Sequence, residues 1–129
     1  MDTYFDLGGY SFPVTTQSAE AQAWFDRGIL WTYGYNHEEA ILCFERAIDA
    51  DPKCAMAHWG AGYASGPNYN MPWDLFDDAG RATAVRAGYA HALKALDMID
   101  GVTKWEAALI HALPTRYPQP DPLDPEAMK

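Results

Sequence analysis

The stretch from Trp24 to Pro52 constrains this chain more than any other. Large and small side chains alternate there at helical spacing: Trp24, Gly28 and Trp31, then Ala40, Phe44 and Ala47, then Pro52. Two short antiparallel helices require that order of sizes. Gly28 removes a side chain where the helices come closest, Ala40 and Ala47 keep the facing surface small, and Trp24, Trp31 and Phe44 fill the space on either side. Gly28 is therefore expected to pack against the second helix near Ala40 or Phe44. Local signals set the boundaries. Thr16 or Ser18 starts the first helix, with Glu20 in its first turn, and Gly34 is expected to end it in the left-handed conformation. Asn36 caps the second helix, Glu39 stands where a capping-box acid would, and Ala40, Ile41, Phe44, Ala47 and Ile48 share one face.

The rest of the chain extends this plan. Asp51-Pro52 opens a third helix, expected over residues 53–65. Gly66-Pro67-Asn68-Tyr69-Asn70-Met71-Pro72-Trp73 interrupts it, with two prolines and a glycine in eight residues. Asp77 or Asp78 starts a fourth helix that runs through Leu96 and Ile99 to Gly101. Its Val85, Tyr89 and Ala92 echo Ala40, Phe44 and Ala47 at an offset of 45 residues. Thr103 and Glu106 form a capping box for a fifth helix, with Trp105, Leu109 and Ala112 as its apolar face. From Pro114 onward five prolines fall in sixteen residues, so an extended or disordered tail is expected. The organisation read from these signals is an extended arm at 1–15, a helical domain at 16–113 with an insert at 66–77, and a Pro-rich acidic tail at 114–129. Gly8, Gly9 and Pro13 keep the arm out of helix, and its aromatics are expected to pack on the first helix.

The pattern Trp24-x2-Arg27-Gly28-x2-Trp31, Ala40-x3-Phe44, Pro52 resembles the tetratricopeptide (TPR) repeat, a helix–turn–helix unit of about 34 residues; Arg27 departs from it, standing where the repeat has Leu. A second copy is weaker: Gly62 lies 34 residues after Gly28, Trp59 is one position late, and the 45-residue offset implies about 11 inserted residues. The runs Leu7–Pro13, Gly34–Ala40 and Cys54–Gly60, followed by Gly66–Asn70, are also similar to the N-terminal part of a class of long bacterial TPR proteins. The resemblance implies an all-α fold of about five helices, in antiparallel pairs stacked as a short α-solenoid. It implies an interaction module and not an enzyme. Because arrays of this kind usually need ~3 repeats, the Trp105 helix is either a terminal cap or the first helix of a third repeat. An apolar end around Trp105, Leu109 and Leu113 would then favour a homo-oligomer or further C-terminal repeats.

The chain carries 9 Lys plus Arg against 18 Asp plus Glu, a net charge of −9, which argues against nucleic acid and anionic membranes as partners. Cys43 and Cys54 form no C-x-x-C unit and read as reduced thiols. The first residues show no basic, then apolar, leader, and no run of ~18 apolar residues occurs. A cytoplasmic location is the expectation.

Candidate chemistry is sparse. His37, His58, His91 and His111 have no zinc-ligand spacing, so no metal and no cofactor is expected. Cys54, near a helix start, is the more reactive thiol, but without a base and an oxyanion site no catalytic residue is assigned. Glu38-Glu39 and Asp77-Asp78 suit helix N-termini. A second row is more informative: Phe25, Ile29 and Tyr33 at i, i+4 and i+8, repeated by Trp59 and Tyr63. First helices line the concave face of such solenoids, and the resemblance puts partner-binding residues there. The row is either this surface or packing beneath the arm and insert. Asn68, Tyr69 and Trp73 of the insert offer amide, phenol and indole groups to a peptide or small polar ligand. The expected function is binding of a protein or peptide segment in an aromatic groove formed by Phe25, Ile29, Tyr33, Trp59, Tyr63, Asn68, Tyr69 and Trp73. The alternative is a small-ligand or metal-binding protein that uses residues 66–73.

Overall fold

A computed structural model of the chain describes residues 11–34, 36–66 and 77–117, without the side chains of residues 78 and 116. Its five α-helices are α1 (Ala19–Tyr33), α2 (His37–Ala50), α3 (Ala55–Ser65), α4 (Asp78–Asp97) and α5 (Lys104–Ala112), with 3-10 turns at Ile99–Gly101 and Leu113–Arg116. No strand occurs among the described residues. The fold is all-α, with α1 packed on α2, α3 on α4, and α2 on α3.

The caps lie close to where local chemistry puts them. Ser18 accepts from the Ala21 N–H at 3.0 Å, Asn36 from Glu39 at 3.2 Å and Asp77 from Gly80 at 2.6 Å. Thr103 and Glu106 close a reciprocal capping box. Two boundaries differ from expectation. Gly34 ends α1 at φ −80° and ψ 4°, outside the left-handed region, with its N–H bonded back to Leu30. α3 begins at Ala55, not Lys53. Asp51 folds the intervening residues into a turn, its carbonyl accepting from the Cys54 N–H and its carboxylate from the Lys53 N–H.

The α1–α2 pair is antiparallel. Gly28 meets Phe44, while one turn earlier Trp24 packs beneath the Arg46 guanidinium at 4.6 Å. A Cβ on Gly28 would lie 2.5 Å from Phe44 Cε1, so the seam closes only with glycine there. Gly60 of α3 makes an equally close approach to the same ring, at 2.5 Å. Phe44 thus fills the junction of three helices and is 1% exposed. At full burial, such a ring contributes about 1.5–3 kcal/mol from area alone.

The α3–α4 pair is closed differently. Gly62 faces Leu113 and His91, and a Cβ on Gly88 would overlap the Tyr117 ring. Tyr117 is 1% exposed and donates its hydroxyl hydrogen to the Gly62 carbonyl at 3.0 Å. Val85 and Ala92 are buried as the echo of α2 predicts, whereas Tyr89 is only half-buried.

Three expectations for the chain ends are corrected. Residues 114–117 are not extended tail: the 3-10 turn carries Tyr117 into the core. The buried stripe of α5 is Glu106 and Ile110, continued by Leu113, while Trp105 is 40% exposed and Ala112 is exposed. Leu113 is buried, so the apolar end expected around Trp105, Leu109 and Leu113 narrows to the exposed Trp105 and the half-buried Leu109. The arm does pack on α1. Asp26 accepts from the Phe12 N–H at 2.8 Å, Gln22 bonds both Phe12 and Val14, and the Phe12 ring contacts Phe25 and, edge-on, Trp105. Residues 1–10, 67–76 and 118–129, with the expectations placed on them, lie outside the described residues.

Candidate functional site

The aromatic row read from the sequence divides in two. Phe25 and Ile29 do not line a groove: they are 0% and 8% exposed and belong to the main core. The Phe44 and Phe12 rings flank Phe25 at 5.5 and 6.4 Å, so the arm and the second helix both cover that face. Tyr33, 68% exposed at the end of α1, stands at the surface. Trp59 and Tyr63 are brought together on α3, their rings stacked at 5.2 Å and 21°. The Trp59 indole N–H donates to the Leu109 carbonyl at 3.1 Å, which fixes the lower ring of the stack on α5. Tyr63, 40% exposed, forms its outer ring. Asn68, Tyr69 and Trp73 lie outside the described residues.

The structure also shows a cleft that sequence reasoning missed. It lies between α2 and α4 and encloses about 650 Å³. Ile41, Ala84 and Ala87 give it apolar walls, Glu38, Glu45 and Asp77 stand around it, and His91 closes one side. The signal was present in the sequence. Glu38, Ile41 and Glu45 recur at i, i+3 and i+7 on one helix edge. Of the two acids, only Glu38 has a reading from the sequence, as helix-terminal charge.

Several other polar groups are held in the fold. His58 is buried, its Nε2–H donating to the Pro52 carbonyl at 3.0 Å, and its ring lies 6.0 Å from that of His91. Burial, then the neighbouring His58, holds His91 below the usual histidine range. Cys54 is not activated by the helix start. Burial pushes its thiol up, outweighing the N–H groups of Ala57 and Met56. No group of three or more His, Cys, Asp or Glu side chains could hold a metal among the described residues. No helix there is long and apolar enough to cross a membrane.

Glu106 is the most constrained acid, at 0% exposed. Its carboxylate accepts from the Thr15 N–H at 2.9 Å and hydroxyl at 2.6 Å, and from the Thr103 N–H at 3.0 Å and hydroxyl at 2.8 Å. Burial alone would raise its pKa, but these four donors hold it below the ordinary carboxylate value. It clasps the arm to α5.

Comparison of the chain with protein-family models, curated proteins and solved structures yields no match.

Proposed function

We propose that the chain is a non-enzymatic, cytoplasmic interaction module of the TPR kind, which holds a peptide segment or extended loop of a partner protein against the Trp59–Tyr63 stack. The observation that carries this reading is the stack itself. Tyr63 offers a broad amphipathic face to solvent, and the anchored Trp59 holds it in place before any partner arrives. A pre-ordered aromatic loses little conformational freedom on binding, and aromatic anchors dominate many interfaces. The Gly28–Phe44 contact supports the repeat relationship, since it joins a small and a large position that the repeat pattern specifies; Gly60, on the other side of the ring, is not one of them.

The test begins with affinity capture of partners from the organism's own extract, followed by direct titration. Tyr63→Ala should weaken the captured partner by about 1–2 kcal/mol, roughly five- to thirtyfold, while the melting temperature stays nearly unchanged. A large loss of stability with undiminished binding would make Tyr63 a packing residue and remove the platform.

A further inference from the structure

The α2–α4 cleft shares no lining residue with the Trp59–Tyr63 platform. Its two walls are complementary in kind. α2 presents Glu38, Ile41 and Glu45 along one edge, and both acids are exposed. α4 presents Gly80, Thr83, Ala84 and Ala87, whose small side chains leave room beside the helix, with His91 closing one side. Among the described residues, no lysine or arginine lines the cleft. Asp77, at the end of α4, adds a third carboxylate, one oxygen of which already accepts from Gly80. Burial, then the neighbouring His58, disfavours the protonated form of His91 on the same wall.

We propose that this cleft binds a basic segment of a partner protein in polyproline II conformation, with two lysine or arginine side chains three residues apart. The spacing follows from the helix. Glu38 and Glu45 are seven residues apart, a rise of about 10.5 Å along α2. A polyproline II chain rises about 9 Å in three residues and returns to the same face, so consecutive cations on that face meet the two acids in turn. The aliphatic stems of these side chains lie over Ile41, Ala84 and Ala87 and leave their charged heads at the carboxylates. The volume falls within the usual range for ligand pockets, and the excess of acids over bases in the whole chain draws a cationic segment toward it.

The probe is a blocked peptide Pro-Lys-Pro-Pro-Lys-Pro, titrated into the full chain at low ionic strength. The wild-type protein binds it, and added salt weakens it. Glu38→Gln with Glu45→Gln weakens it about tenfold, since each exposed pair contributes modestly. Both positions are exposed, so the variant folds as the wild type does, and its melting temperature falls only slightly through the lost charge of Glu38 at the start of α2. Thr83→Trp, also at an exposed position, fills the cleft and removes binding, whereas Tyr63→Ala leaves binding unchanged. Equal affinity for the peptide with norleucine in place of both lysines would overturn the proposal, as would an unaffected double glutamine variant. Spermidine binding as tightly as the peptide would assign the cleft to a small organic cation instead. Loss of peptide binding in Tyr63→Ala would move the peptide to the platform.

Discussion

The two helix pairs solve one packing problem in two ways. In the first, the ring that fills the seam belongs to the pair itself: Phe44 of α2 lies against Gly28 of α1, with Gly60 behind it. In the second, α4 brings glycine to the seam and the ring comes from elsewhere. Tyr117, beyond α5, lies over Gly88 and bonds the Gly62 carbonyl. The first seam is complete by Ala50 and needs only α3 to cover it. The second depends on a residue that follows the whole helical array. Two helix pairs can therefore be arranged alike while the side chain that seals each has a different origin.

The largest test of this contrast is overpacking. Gly28→Leu puts a branched side chain where even a Cβ comes within 2.5 Å of Phe44, and should cost about 2–3 kcal/mol by thermal or urea melts. Gly88→Leu should cost a similar amount through Tyr117. Hydrogen exchange separates the two, with Gly28→Leu loosening α1 and α2 first and Gly88→Leu loosening α4 and the Leu113–Arg116 turn. Equal loosening everywhere would show that the seams are one cooperative unit.

A middle-sized effect is expected at the clasp. Glu106→Gln should destabilise by about 1.5 kcal/mol, because charge-assisted bonds to Thr15 and Thr103 become ordinary ones. The folded-state pKa of Glu106 lies below its ordinary value. Its stabilisation is thus fully present above that ordinary value and is lost as pH falls through the depressed folded value. The wild type should lose stability over that acidic window, and the gap between it and Glu106→Gln should narrow there. A gap that stays constant through the window would mean that the ionised carboxylate contributes nothing.

The smallest effect is expected from Tyr117→Phe. It keeps the ring over Gly88 but removes the hydroxyl from the Gly62 carbonyl, at about 1 kcal/mol. Calorimetry that detects no change would show that packing alone seals the second seam.

The caps and the first seam were readable because their causes are local. Ser18, Asn36, Asp77 and the Thr103–Glu106 box each bond a backbone group three residues away. Gly28 and Phe44 are joined by one short turn. What could not be read was set by distant cover. Phe25 and Ile29 have the spacing of an exposed row, and periodicity alone does not reveal that Phe12 and α2 close over that face. Tyr117 sits in a proline-rich stretch whose composition says tail, yet its ring and hydroxyl find a cavity and a carbonyl 55 residues earlier. On α5 the capping acid Glu106 is also the buried residue, so the apolar count along that helix pointed to the wrong face. The α2–α4 cleft escaped for the converse reason, since it is an empty space between two helices and no single segment encodes it.

The clasp at Glu106 bears on the order in which this molecule assembles. Helix pairs joined by short turns form from neighbouring residues and have low contact order, which makes them quick to fold. The bonds between Thr15 and Glu106 span 91 residues, and the loop they close must be ordered before they return any stability. Capture of the arm on α5 is therefore expected as the last event in folding and the first reversed on unfolding. During synthesis, the arm emerges long before the acid that holds it. Until Glu106 leaves the ribosome, Phe12 has α1 to rest on but no latch.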